Sequence, residues 1–160
     1  MTKLASVLGP SYEQKRSDLR IRKFELGGHT FRVRVPLVAE SDAMYTTITV
    51  PPDERVDEVY TLMTGSLAKF KDQASEEFQF TDNDILVGGR SMREAAKNKV
   101  MTETRITEYI RLLCADDPAN TLADITYTDI EAEWPLSIQL ALVEKIGEVI
   151  SPTYKEARGN

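Results

Sequence analysis

The side chains able to do covalent or acid–base chemistry are few in this chain and stand far apart. It holds one histidine, His29, and one cysteine, Cys114. A Cys/His nucleophilic pair needs both groups in one site, and no local signature marks either residue for that role. Cys114 falls on a helix face and reads as a small hydrophobe, while His29 reads as a turn residue. The acidic run Thr81-Asp82-Asn83-Asp84 invites a calcium reading, but Leu86 and Val87 stand where an EF-hand loop needs a ligand and a glycine. Gly27-Gly28 and Gly88-Gly89 are isolated turn glycines, and no phosphate-cradling G-x-x-x-x-G-K-[ST], nucleophile-elbow G-x-S-x-G or zinc-binding H-E-x-x-H pattern occurs. The expectation is therefore no catalytic residue, no cofactor and no metal. Function is to be sought in surfaces.

Composition sets the frame for those surfaces. The 160 residues are enough for one domain with a sizeable core. With 41% hydrophobic and 29% charged residues the chain has an ordinary globular balance. No apolar run is long enough for a membrane span. MTKLASVLGP lacks the long apolar stretch of a signal peptide and predicts neither signal nor transit sequence. A lone cysteine excludes an internal disulfide framework and fits a reducing compartment. The net charge of −6 is unevenly spread. Residues 1–35 carry eight Lys/Arg against three acids, a net +5, and the remainder carries 12 against 23, a net −11. This asymmetry can steer association with a partner or with a second copy. It is too modest for a nucleic-acid footprint, and Phe24 and Phe31 fall on the face expected to be buried, not among the arginines as a single-strand binder requires.

The elements that must present such surfaces follow from periodicity and punctuation. Residues 1–20, with little apolar content beyond Gly9-Pro10, read as a flexible arm. From Ile21 to Val35 the period is two, and IRKFEL and TFRVRV flank Gly27-Gly28-His29, which predicts a β-hairpin. Phe24, Leu26, Phe31, Val33 and Val35 are assigned to its inner face. Arg22, Glu25, Arg32 and Arg34 are assigned to its outer face, with Glu25 near an arginine. Pro36–Val50 is read as a short helix with Leu37, Val38 and Met44 inward, although its β-branched end argues for extended chain. Pro52 opens a helix with Val56, Val59, Tyr60, Met63, Leu67 and Phe70 in one stripe, weakened at Gly65. Phe78–Phe80 and Ile85–Val87 bracket a second small hairpin or a packed loop. Ser91-Met92-Arg93-Glu94 is a capping-box pattern opening a helix toward Ala115, interrupted by a Lys99/Glu103 pair at i,i+4. Thr128-Asp129-Ile130-Glu131 is a second capping-box match, and 152–160 reads as a polar tail.

Trp134–Ile150, WPLSIQLALVEKIGEVI, is the segment around which the chain is organised. Leu136, Leu140, Val143, Ile146 and Ile150 share one side, widened by Ile138, Leu142 and Val149. That apolar arc is about twice the roughly 100° an ordinary surface helix needs, so the helix is either central to its own core or serves a second surface. Gln139, inside the arc, needs a hydrogen-bond partner or a wet interface.

Two stretches together resemble the tail assembly chaperones of long-tailed, siphovirus-type bacteriophages. They are FELGGHTFRVRVPLVAESDAM (Phe24–Met44), a hairpin ending in R-V-P before an acidic helical segment, and WPLSIQLALVEKIGEVISPTYKEARGN at the C-terminal end. The resemblance covers the layout of residues 21–155. It implies a non-enzymatic, non-structural morphogenesis factor in the host bacterial cytoplasm that binds the tape measure protein, keeps it soluble and promotes assembly of tail tube protein around it. It also implies a longer frameshifted form, with which the tail at Tyr154–Asn160 is compatible. The partner-binding residues expected are Leu136, Gln139, Leu140, Val143, Ile146 and Ile150, with Arg22, Arg32 and Arg34. Homo-oligomers are expected to shield apolar surface when no client is bound; no nucleic acid and no membrane are expected as partners. Two other readings fit the same residues: a virion component such as a tail-completion or head–tail connector subunit, and an adaptor using the basic hairpin.

The fold expected is α+β, mainly α-helical. One N-terminal hairpin (21–35) packs on a helical body (36–151) of three to five helices within a single globular domain (21–151). The arm 1–20 and the tail 152–160 flank that domain.

Overall fold

In the computed structural model residues 2–71 and 76–151 are described, and the fold is α+β, mainly α-helical. The chain divides into two units, one from Met1–Ser41 with Ile106–Asn160 and one from Asp42–Arg105. The polar tail expected over 152–160 lies outside the described residues.

The first unit begins with helix where a flexible arm was expected. Thr2 Oγ1 accepts from Ala5 N–H at 3.1 Å and caps α1 (Lys3–Leu8), which ends at Gly9 with φ of +94°. Pro10, preset for a first helical turn, opens α2 (Pro10–Lys15), and a 3₁₀ segment, Arg16–Arg20, leads into the hairpin. Strands β1 (Ile21–Leu26) and β2 (His29–Arg34) pair antiparallel around Gly27-Gly28. Those glycines have φ of +61° and +80°, as a two-residue type I′ turn requires. His29 therefore opens β2, its ring edge-on to Phe31 at 4.6 Å, while Phe24 and Phe31 stack at 5.2 Å.

The register corrects the two faces assigned from sequence. Arg22 lies opposite Val33, so by strand alternation it shares the side of Phe24 and Leu26. The other side carries Ile21, Lys23 and Glu25 with Thr30, Arg32 and Arg34. Glu25 Oε1 accepts from Thr30 Oγ1 at 3.4 Å and, among the described residues, pairs with no arginine. Val33 is fully buried because both strands lie under α7 (Leu136–Ile150). The segment after the long helix α5 (Met92–Ile110) runs along the outer edge of β2. There Arg34 N–H donates to Leu112 O at 2.9 Å and Cys114 N–H donates to Arg32 O at 2.8 Å, flanking the Val33–Leu113 bridge. Ile106, Ile110, Leu112 and Leu113, with Ile130 of α6 (Tyr127–Glu133) and Leu142, Val143 and Ile146 of α7, complete this unit's core.

Helix α6 is capped two residues earlier than expected. Thr126 and Asp129, not Thr128 and Glu131, form its capping box, so the first turn includes Tyr127.

Helix α3 (Val38–Thr49) begins in the first unit and continues into the second. It is helical despite its β-branched end. Leu37 and Val38 are exposed, not inward as expected, and none of its residues is buried. The second unit then runs through α4 (Asp53–Thr64), whose regular turns stop at Gly65, the residue of low helix propensity, and continue as a 3₁₀ segment to Phe70. Phe70 stacks on Phe78 at 5.3 Å. Val56, Val59, Ala96 and Val100 form this unit's buried cluster, with Tyr60 and Met63 against it.

Strands β3 (Phe78–Phe80), β4 (Ile85–Val87) and β5 (Arg90–Ser91) form an antiparallel meander in the second unit. The Asp84 carboxylate accepts from Ile85 N–H (2.8 Å), Arg93 N–H (3.0 Å) and the Ser91 hydroxyl. Partial desolvation pushes its pKa up, but these donors and the Arg93 charge outweigh it and hold the carboxyl below the usual aspartate range. The acidic run at 81–84 thus ties the meander to the start of α5. Further along α5, Lys99 Nζ meets Glu103 Oε1 at 3.0 Å, at the spacing expected.

Candidate partner-binding surface

The residues expected to bind a partner through α7 separate by depth. Gln139 (2% exposed), Val143 (8%) and Ile146 (0%) are buried in the first unit. Leu136 (54%) and Leu140 (46%) are open on one flank of the same helix, and Ile150 is half-buried. Of the residues that widen the arc, Ile138 is exposed on the opposite flank, Leu142 is buried and Val149 is half-buried. The middle strip of the arc therefore fills the core, and an i,i+4 leucine pair remains outside.

Gln139 is held from both ends. Its Nε2 donates to Trp134 O at 2.8 Å and its Oε1 accepts from the Tyr127 hydroxyl at 2.9 Å. These bonds tie the Trp134-Pro135 junction to α6 and α7, and so fix the direction in which Leu136 and Leu140 are presented. Among the buried polar groups of this helix none is left to recruit a partner.

The three arginines expected to assist differ in availability. Arg32 Nη2 donates to Ala115 O at 3.0 Å. Arg34 Nη1 and Arg20 Nη2 each meet one oxygen of Glu40 at 2.8 Å, while Arg20 Nε donates to Val35 O at 3.0 Å. Arg34, opposed by some desolvation and helped by Leu37 N–H and Arg20, holds the Glu40 carboxyl below the usual glutamate range. Arg32 and Arg34 thus brace the hairpin. Arg22 is exposed and, among the described residues, donates to Leu19 O at 3.3 Å, which leaves it the most accessible of the three.

The sequence reading missed a second exposed apolar set. Leu4, Val7 and Leu8 of α1 point outward together while Ala5 is buried. Their i,i+3,i+4 spacing was the available signal, obscured by the polar stretch that follows. In the second unit a cleft of ≈ 750 Å³ is lined by Asp53, Asp57, Arg93, Glu94 and Lys97, charges of both signs. Asp57 and Arg93 already pair at 2.6 Å. No group of three or more His, Cys, Asp or Glu able to hold a metal occurs among the described residues, and no helix among them is long and apolar enough to cross a membrane.

No protein-family model matches this chain, and neither the curated proteins nor the solved structures compared with it give a significant match.

Proposed function

We propose that this chain is a non-enzymatic tail assembly chaperone of a long-tailed bacteriophage. It binds the tape measure protein in the host bacterial cytoplasm and promotes assembly of tail tube protein around it. The observation that carries this reading is the Leu136/Leu140 pair, open on a helix whose neighbouring strip is anchored in a core. A rigid row of leucines is suited to the apolar stripe of an amphipathic client helix. The layout behind the resemblance, a hairpin followed at once by helix and a broad apolar helix near the C-terminal end, supports the same reading.

Co-expression with the tape measure protein of the same phage tests it. The partner is expected to become soluble and to co-purify in high salt, since apolar capture tolerates screening. The chain is expected to be absent from finished virions. Failure to rescue, with the chain instead found in purified particles, would replace this reading with that of a tail-completion or connector subunit.

A further inference from the structure

The two edges of the β1–β2 hairpin are not alike. Val35 N–H donates to Arg20 O at 2.7 Å, which sets the phase of the ladder. In the register pairing Ile21 with Arg34, the β1 residues bonded within the hairpin are then Arg22, Phe24 and Leu26. The N–H and C=O groups of Lys23 and Glu25 are directed away from β2. On β2 the corresponding outward groups, those of Arg32 and Arg34, are taken by Leu112–Cys114. On β1, among the described residues, no backbone bond from outside the hairpin reaches Lys23 or Glu25, and both residues are exposed.

An open edge is a template for another strand. We infer that β1 pairs antiparallel with β1 of a second copy, Lys23 opposite Glu25 of that copy and Glu25 opposite its Lys23. Charge selects both occupant and register. A two-fold centred on Lys23 would set lysine against lysine, and one centred on Arg22 would set arginine against arginine. The two-fold centred on Phe24 instead matches opposite charges twice. Lys23 also lies across from Arg32 within its own hairpin, so a carboxylate from the second copy relieves a like-charge neighbour. Each of the two pairs exchanges two backbone bonds, joining the hairpins into a four-stranded sheet. The axis is normal to that sheet and keeps both copies of α7 on one face. This pairing concerns the free protein and does not depend on the client.

Size-exclusion chromatography with light scattering across micromolar concentrations, combined with hydrogen exchange, tests it. The wild-type chain is expected to dimerise, with Lys23 and Glu25 amides gaining protection as concentration rises. Lys23→Glu and Glu25→Lys each turn two opposite-charge pairs into like-charge pairs, so each should weaken the dimer by about tenfold or more. The double swap K23E/E25K should restore it. Lys23→Pro removes an outward N–H that the hairpin does not use; it should give a folded monomer by circular dichroism. A wild-type monomer at all concentrations, a dimer indifferent to Lys23→Pro, or a double swap no tighter than the single variants would each overturn the inference.

Discussion

Leu140→Asp and Val143→Asp, less than one helical turn apart, should separate docking from folding. Leu140 is 46% exposed. If full burial of a leucine is worth about 2–3 kcal/mol, its half-covered side chain contributes about 1 kcal/mol, and Leu140→Asp should cost about that. Val143 is 8% exposed, so an aspartate there loses nearly all of the valine's burial and places an unpaired carboxylate in an apolar core. Together these cost at least about 4 kcal/mol. Against a total stability of about 5–15 kcal/mol, the first variant gives up only a minor part and stays folded, whereas the second loses from about a quarter to most of it. Urea titration followed by circular dichroism reads the stabilities, and co-expression with the tape measure protein reads the capture. The expected result is a folded Leu140→Asp chain that no longer solubilises its client. Equal destabilisation by both variants would refute the two-depth description of α7. A folded Leu140→Asp chain that rescues as well as wild type would refute docking on this flank.

Other outcomes follow from the polar anchors. Gln139→Ala removes the donor to Trp134 O and the acceptor for Tyr127; it should cost about 2 kcal/mol in urea titration, and a loss under about 0.5 kcal/mol would show the tie to be dispensable. Asp84→Ala withdraws the acceptor for two backbone N–H groups and for Ser91 and should cost about 2 kcal/mol, read by the same titration. Glu40, with its folded pKa lowered from 4.5, contributes stability that is complete above that unfolded value and is lost as pH falls through the lower folded value. Glu40→Gln should therefore flatten the stability–pH curve below about pH 4.5, with no change in slope near neutrality; an unchanged acid limb would show that Arg20 and Arg34 do not favour the charged form.

Much of the scaffold was legible from local chemistry. Gly27-Gly28 between two period-two runs announced the hairpin because tight turns need positive φ, and the prolines at 52 and 135 marked helix starts. Lys99 and Glu103 meet because i,i+4 residues adjoin on any helix. What periodicity could not supply was the part of an apolar arc that the rest of the chain covers. The arc of α7 holds both Leu140 and Val143, and only the placement of the hairpin beneath it decides which is buried. Leu37 and Val38 were read inward for the same reason: apolar character was visible, but the absence of a covering neighbour was not. The basic hairpin looked free in sequence because Glu40 and Ala115, the groups that occupy Arg34 and Arg32, lie outside the strands. Composition suggests a flexible arm over residues 1–20 because it does not show the Thr2 cap, the Gly9 stop and the Pro10 start.

The bridge from Val33 to Leu113 also bears on how the chain is made. At a translation rate of about 5–20 residues per second, the 80 residues from Arg34 to Leu113 take roughly 4–16 s to emerge. During that interval the nascent hairpin has neither its edge partner nor α7, and Phe24 and Val33 face solvent. Asp42–Arg105 leaves the ribosome whole before the first unit can close around residues from both ends of the chain. The unit bearing the leucine pair is therefore the last to form, and any partner that reaches the hairpin during synthesis meets it uncovered.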